Sequence, residues 1–256
     1  MIKNKRQQQI LNMLKDSEIV TVAELSDQLH YSGMTIRRDL EYFEQIGLAR
    51  RVHGGAVLVK TDTSLPPFAE RLHYMLKEKS AIGKAALSFI KQGSIVCMDA
   101  GTTTLSMIQH IPDDFQFTVI STGISTSEEL CKFREIEVIQ VGGSIHHSSR
   151  TVCGTLASKF LNRFNADVAF LSTRALDPAQ GTFESNMSLV DEKNALATIS
   201  KKVVVLADHT KLQGTSLCQA IPINKIDVVI TDNKAPATVV DDLRRAGIEV
   251  IITSPD

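Results

Sequence analysis

The stretch Ser32-Gly-Met-Thr-Ile-Arg-Arg-Asp-Leu40 decides how the first part of this chain is read. At helical spacing Ile36, Leu40 and Phe43 fall at i, i+4 and i+7, so they share one side. A rotation of about 100° per residue puts Met34, Arg38 and Glu41 opposite that side, with Thr35, Tyr42 and Arg37 on its flanks. Ser32 is placed to cap the helix, and Gly47 to end it in a left-handed turn. A short amphipathic helix with cations on its free face suits a DNA major groove. Arg37 and Arg38 point apart, so one is expected to read a base edge and the other to hold a phosphate.

The flanking sequence extends this reading. Arg6 to Lys15 carries Ile10, Leu11 and Leu14 at helical spacing, and Thr21-Val-Ala-Glu24 reads as a capping box opening a helix over Val22 to His30. Tyr31-Ser32-Gly33 then makes a tight turn before the arginine helix, which is the helix-turn-helix order, here about residues 20–39. Two β-prone runs around Gly54-Gly55 look like a hairpin wing, with Arg50, Arg51 and His53 placed to touch backbone or minor groove. The competing reading is a small three-helix domain whose charges are only solvated surface; the wing counts against it. The head is taken as residues 1–58.

At 256 residues the chain suits a small domain followed by a larger one. Residues 1–60 hold nine Lys/Arg against seven Asp/Glu, an asymmetry of the right sign for DNA but too small to argue nucleic acid alone. Clustered arginines and a doubled head are therefore expected to supply specificity. No apolar run is long enough for a membrane span, and Met-Ile-Lys-Asn-Lys-Arg runs straight into Gln7-Gln-Gln9, unlike a signal peptide. The four cysteines lack metal-ligand spacing, so reduced thiols in a cytoplasmic protein, with no metal and no cofactor, are expected.

Residues 59–76, with Thr61-Asp-Thr-Ser-Leu-Pro-Pro67, read as a linker, and residues 77–256 as a second domain. Phe68 to Ile90 reads as largely helical. Beyond it, apolar runs at 94–98, 117–120, 137–141, 168–171, 203–207, 228–231 and 250–252 alternate with helical stretches at 103–110, 126–133, 154–164, 189–200 and 238–246. That alternation predicts an α/β domain with a largely parallel sheet covered on both faces. Ligands of such sheets bind where strand carboxyl ends meet loops. Asp99-Ala-Gly-Thr-Thr-Thr104 opens a helix there, with Gly101 allowing close approach and Thr102, Thr103 and Thr104 offering hydroxyls to a phosphate. Ser121-Thr122-Gly123, the Gly142-Gly143 pair and Asp208-His-Thr-Lys211 follow other strands, and Lys211 is a mobile cation for the same anion. Each loop could alternatively be mere capping and turning. The absence of Gly-x-Gly-x-x-Gly after a strand argues against a dinucleotide.

Arg6, Ile10 and Leu14, followed by Ser32 and Thr35-Ile36-Arg37-Arg38-Asp39-Leu40, resemble in type and spacing the N-terminal signature of the DeoR family, bacterial repressors of sugar and nucleoside catabolism. Arg51-Val-His-Gly-Gly-Ala56 resembles that family's wing. Asp99-x-Gly-Thr-Thr103, Gly142-Gly143, Asp208-x-Thr-Lys211 and Asp227-Val-Val-Ile-Thr-Asp232 resemble its sensor domain. The resemblance implies a fold similar to ribose-5-phosphate isomerase and CoA transferases, and a phosphorylated sugar as inducer. Two departures fall where the sugar end of a ligand would lie. Thr173 and Arg174 replace a small, glycine-containing turn, and Ser188-Leu189 replaces an acidic residue, although Lys193 remains.

A sugar-phosphate isomerase with a DNA-binding head is the alternative. Isomerisation needs a positioned carboxylate base. The resemblance puts Arg174 where the first aspartate of the isomerase loop would stand, leaving Glu184 as a lone acid, so no catalytic residue is assigned. The expectation is a homodimeric or homotetrameric, nucleoid-associated repressor of a carbohydrate-catabolism operon. It binds double-stranded operator DNA and is released by a phosphorylated sugar or sugar alcohol.

Overall fold

A computed structural model describes residues 5–17, 19–45, 49–52, 54–58, 68–212 and 214–255, and the chain divides into two units, Met1–Thr61 and Asp62–Asp256. In the first unit, helices α1 (Lys5–Ser17), α2 (Val22–Leu29) and α3 (Gly33–Gln45) accompany strands β1 (Ile19–Thr21), β2 (Ala49–Val52) and β3 (Gly55–Leu58). The strands form an antiparallel sheet in the order β1-β3-β2. Ile36, Leu40 and Phe43 point inward as their spacing requires and meet Ile10, Leu14 and Leu25 in a core from which solvent is excluded.

The expected caps form. Glu24 N donates to Thr21 Oγ1 at 3.1 Å while Thr21 N donates to Glu24 Oε2 at 2.9 Å, and Thr35 N donates to Ser32 Oγ at 3.3 Å at the start of α3. The wing hairpin turns at Gly54 with φ of 82°. Strand β1 is an addition to the sequence reading, because three residues are too few to show an alternation. Its pairing requires glycine at position 55, where a Cβ would lie 2.0 Å from the Val20 carbonyl oxygen. Gly47 and His53 lie outside the described residues, as do the side chains of Arg50 and Arg51, whose backbones belong to β2.

In the second unit all seven apolar runs become strands of one parallel sheet: β4 (Ile95–Met98), β5 (Phe117–Ser121), β6 (Ile136–Gln140), β9 (Val168–Ser172), β12 (Val203–Leu206), β14 (Val228–Asp232) and β15 (Glu249–Thr253). Alternate residues enter different cores. Ala169 and Leu171 of β9 face α8 (Thr155–Leu161), α9 (Met187–Thr198) and α10 (Ala237–Arg245), whereas Val168 and Phe170 face α5 (Leu76–Ala86) and α7 (Ile124–Leu130). Smaller antiparallel pieces sit in the connections: β7 (Ser144–His146) with β8 (Thr151–Cys153), and β10 (Ala175–Asp177), β11 (Gly181–Glu184) and β13 (Cys218–Pro222) together.

The strand order is β15-β14-β12-β9-β4-β5-β6. The chain winds outward from β4 in one direction and from β9 in the other, so the order reverses between these neighbours. Their carboxyl ends define the crevice where such sheets bind ligands.

The stretch 68–90 is largely helical, as expected, but it is not one continuous helix. It is α4 (Phe68–Leu72), a turn, α5, and a 3-10 turn at Leu87–Phe89. The break falls at Met75, a non-glycine residue at φ of 52°, and Lys79 Nζ reaches back to the Arg71 carbonyl oxygen at 2.5 Å. The helix expected over 103–110 is likewise only α6 (Thr102–Leu105) followed by a 3-10 turn at Ile108–His110. Three consecutive β-branched threonines are poor helix formers.

Candidate functional site

In the head, α3 presents Met34, Arg37, Arg38 and Glu41 to solvent, with Met34 71% exposed. The arginine pair is therefore carried on the free face of a helix whose other face is the core. Asp39, between that pair and the core, is 4% exposed and accepts from Arg6 Nε at 2.5 Å and Gln7 Nε2 at 2.9 Å, which ties α1 to α3. Arg6 also lies 4.7 Å from the centre of the Tyr31 ring. Ser32 caps the helix and its hydroxyl meets that of Thr35 at 2.9 Å, so both polar side chains serve the turn.

In the second unit the residues converge on the switch point. Asp99, directly after β4, is 1% exposed and fully engaged. Its Oδ1 accepts from Gly101 N at 2.9 Å and Thr104 Oγ1 at 2.6 Å, and its Oδ2 from Ser172 N at 2.8 Å, Ser172 Oγ at 2.7 Å and Lys193 Nζ at 2.6 Å. The carboxylate thus bolts the β4 loop to the end of β9 and to α9. Gly101 is needed at this join, because a Cβ there would lie 2.1 Å from Ser172 Oγ. Burial works against the Asp99 charge, yet Lys193 and the hydroxyl donors outweigh it and hold the carboxyl below its ordinary value. Lys193 also lies 3.2 Å from Glu184 Oε1, and the surrounding carboxylates hold its ammonium above its ordinary value despite burial.

Around this bolt stands a group of cations from four segments: Arg71 on α4, Lys79 on α5, Arg174 on the β9–β10 connection and Lys211 in a 3-10 turn after β12. They are close enough to repel one another. Burial lowers the Lys79 ammonium to about 8, Asp208 opposing and Lys211 and Arg71 assisting. Burial likewise lowers Lys211, with Arg174 and Arg71 pushing the same way against Asp208 and Glu184. Burial also lowers the Arg71 guanidinium, to which Arg174 adds repulsion. The opposing carboxylate, Asp208, is fully buried; its Oδ1 accepts from Thr210 N at 3.0 Å, and its Oδ2 has no hydrogen-bond partner among the described residues. Cations gathered in this way favour an anion between them.

A groove of about 910 Å³ adjoins the cluster, with Lys79, Thr102 and Ser125 on its wall beside Phe68, Leu72 and Leu76. The rest of its lining mixes charges, with Asp113, Glu128 and Glu129 alongside Lys132, Arg134 and Arg150. The volume is in the range of small-molecule sites.

The sequence-derived candidates separate into two groups. Thr102, Thr103, Arg174 and Lys211 make no side-chain hydrogen bond or ion pair among the described residues. The others have internal duties. Asp99, Thr104 and Lys193 form the bolt, and Gly101 N is committed to Asp99 rather than to a ligand. Ser121 Oγ accepts from Gly123 N at 3.1 Å, and Thr122 Oγ1 donates to Glu192, a buried carboxyl pushed up to about 8 by burial. Gly142 and Gly143 are exposed after β6, where Gly143 passes the Cys153 carbonyl too closely for a Cβ.

Arg71, Lys79 and Glu192 are new relative to the sequence reading. The first two precede β4 on helices, so a search of strand-end loops misses them. One signal was present: Gly83 on α5 marks a close approach, since a Cβ there would lie 2.9 Å from the Ser106 backbone.

The DeoR-like helix-turn-helix domain matches residues 6–62, and the DeoR C terminal sensor domain matches residues 75–233. The HTH-type transcriptional regulator GolR of Listeria innocua is 34% identical over 247 residues, covering 96% of this chain and 97% of its own. Transcriptional repressor AccR of Agrobacterium fabrum is 33% identical over 229 residues, covering 89% of each. Among solved structures, ribose 5 phosphate isomerase A from Neisseria gonorrhoeae aligns over 52% of each chain at 18% identity with a TM-score of 0.39. With both domains matched and two regulators aligned along nearly their whole length, this chain belongs to the DeoR family of helix-turn-helix transcriptional regulators.

Proposed function

We propose that the chain is a repressor of a carbohydrate-catabolism operon that leaves its operator when a phosphorylated sugar or sugar alcohol fills the cation cluster. The observation that carries this reading is the set of mutually repelling cations at the switch point, beside Thr102 and Thr103. A phosphate between Lys79 and Lys211 relieves that repulsion and takes the two hydroxyls as further donors. Arg71 and Lys79 belong to the first described segment after the head. An anion that holds them also holds the chain leading back to DNA, and this supports a route from effector to operator.

Arg38 reads a base edge and Arg37 a phosphate, with the wing adding contacts. A single head of this kind buries roughly 600–1,000 Å² on DNA, so the active form pairs two heads on half-sites spaced by about one helical turn. Catalysis is not part of the proposal. Glu184, the lone candidate acid, is 3% exposed and paired to Lys193, which leaves it no route to a substrate proton.

The test is an operator-release titration by fluorescence anisotropy against phosphorylated sugars and their dephosphorylated forms. Release by the phosphorylated compounds only, weakened roughly 10- to 100-fold in Lys211→Ala, is the expected result. Equal release by dephosphorylated sugars refutes the phosphate assignment.

A further inference from the structure

Asp208 is the member of the cluster whose bonding a phosphoryl group does not complete. It follows β12, where Val204 and Leu206 face the core on the α5 side while Val205 and Ala207 face the opposite core. Ala207 N donates to the Ile230 carbonyl oxygen at 3.1 Å, so the alternation runs on to Asp208, which falls on the α5 side with Lys79. The carboxyl is fully buried and its turn fixes it. Oδ1 accepts from Thr210 N at 3.0 Å and from Thr210 Oγ1, and Lys211 N donates to the Asp208 carbonyl oxygen at 2.9 Å. Oδ2 is left without a donor among the described residues. Thr231, a nearby buried hydroxyl that also lacks a partner, shares the parity of Val229 on β14 and so falls on the other side of the sheet.

Lys79 and Lys211 both feel the Asp208 charge, yet neither pairs with it directly among the described residues. A gap between an unsatisfied acceptor and an ammonium is closed by a group that donates to the one and accepts from the other. A phosphoryl dianion is not that group, because its oxygens only accept and its charge repels the carboxylate. An alcohol hydroxyl is, since it has a proton to give and lone pairs to offer. The Lys211 ammonium makes no hydrogen bond among the described residues, so it has N–H groups for a phosphate oxygen and for a hydroxyl beside it.

We infer that Asp208 is a specificity-determining residue: its Oδ2 accepts a hydrogen bond from a hydroxyl of the effector that itself accepts from Lys211. The buried carboxylate keeps the phosphoryl group toward Thr102 and Thr103 and marks the hydroxyl-bearing end of the site. The ligand class is then a phosphorylated polyhydroxy compound with a free hydroxyl at that place, and its deoxy analogue is rejected because it leaves a buried carboxylate oxygen unpaired. The inference rests on the phosphate reading above and refines it.

The experiment is calorimetry on the full chain with parent compounds and analogues lacking one hydroxyl: glycerol 3-phosphate against 3-hydroxypropyl and 2-hydroxypropyl phosphate, ribose 5-phosphate against its 2-deoxy and 3-deoxy forms, and glucose 6-phosphate against the same two deletions. Inorganic phosphate completes the set. In at least one series, loss of a single hydroxyl is expected to weaken binding roughly 10- to 100-fold. Asp208→Asn keeps Oδ1 as an acceptor and puts an amide nitrogen, which cannot accept, in place of Oδ2. It should weaken the parent about 10-fold or more and erase the difference between parent and analogue. Inorganic phosphate should bind that variant at least as tightly as wild type, because a negative charge has left the cluster. A counter-charge without a bond to the effector predicts the opposite sign, with parent and inorganic phosphate both tightened. That outcome, discrimination that survives Asp208→Asn, analogues within about threefold of their parents in every series, or binding of inorganic phosphate alone overturns the inference while leaving a phosphate site. Binding by none of the compounds, inorganic phosphate included, overturns the phosphate reading itself. If the variant fails to fold, the wild-type series still decide, since equal binding of parents and analogues overturns the inference.

Discussion

Replacing Lys193 with methionine removes an ammonium of which only 7% is exposed, held 2.6 Å from Asp99 and 3.2 Å from Glu184. Both carboxylates are as deeply buried, so solvent screening offers no relief. Removing one partner of a buried pair costs about 3–5 kcal/mol. Asp99 keeps its donors from Gly101, Thr104 and Ser172, which places the loss near the lower end. With urea slopes of about 2–3 kcal/mol per molar, the unfolding midpoint should fall by about 1–2 M. The chain has no tryptophan, so far-UV circular dichroism is the signal, with Lys193→Arg as the charge-preserving control.

The pH dependence sharpens this test. In the wild type Asp99 is held below its ordinary value, so it contributes stability above its unfolded pKa of about 3.9 and loses it as pH falls through the folded value. Without Lys193 its burial is no longer offset by that charge, and the carboxyl rises. The variant then recovers stability as the pH falls and Asp99 takes up a proton. The gap between wild type and variant is therefore widest at neutral pH and narrows toward about pH 4.5. A variant as stable as wild type at pH 7, or a gap that stays constant over that range, would refute the assignment of Lys193 and Asp99 as the bolt of the switch point.

Arg38→Ala should cost roughly 1–3 kcal/mol of operator affinity and little affinity for random DNA, read by competitive gel shift. Asp39→Ala should lower the thermal stability of the head by about 1–3 kcal/mol, because it frees Arg6 and Gln7 from α3; an unchanged melt counts against the latch. Lys79, lowered to about 8, keeps its charge at pH 7 and loses it by pH 9. Effector affinity should thus fall over that interval while binding takes up a proton, measurable by calorimetry in buffers of different ionisation enthalpy. Sedimentation of the operator complex should give two or four chains per site, and a monomer saturating its operator would remove the paired-head reading.

How much was legible in the sequence differs between the two units for a physical reason. The head is built from local signals: Ile36, Leu40 and Phe43 share a face at helical period, Thr21 and Glu24 form their box within one turn, and Gly54 marks the wing. Each depends on residues a few positions apart, so the chain alone specifies it. The seven buried strands were equally visible, because a strand covered on both faces is a continuous apolar run.

The sensor site followed different rules. Loops at strand ends were readable as polar and glycine-rich, yet nothing local says which hydroxyls and charges are already spent. Thr122 serves Glu192, Ser121 serves Gly123, and Asp99 serves Lys193 across 94 residues of chain. The break at Met75 and the arrival of Arg71 and Lys79 beside Lys211 also depend on packing. By itself, then, the sequence determined a basic helix on a small winged head and a parallel α/β domain with phosphate-like loops. Tertiary structure alone decided the strand order, because pairing partners are chosen by global packing rather than by neighbours in the chain. Strand order sets β4 beside β9, and with them the crevice where cations from four segments meet.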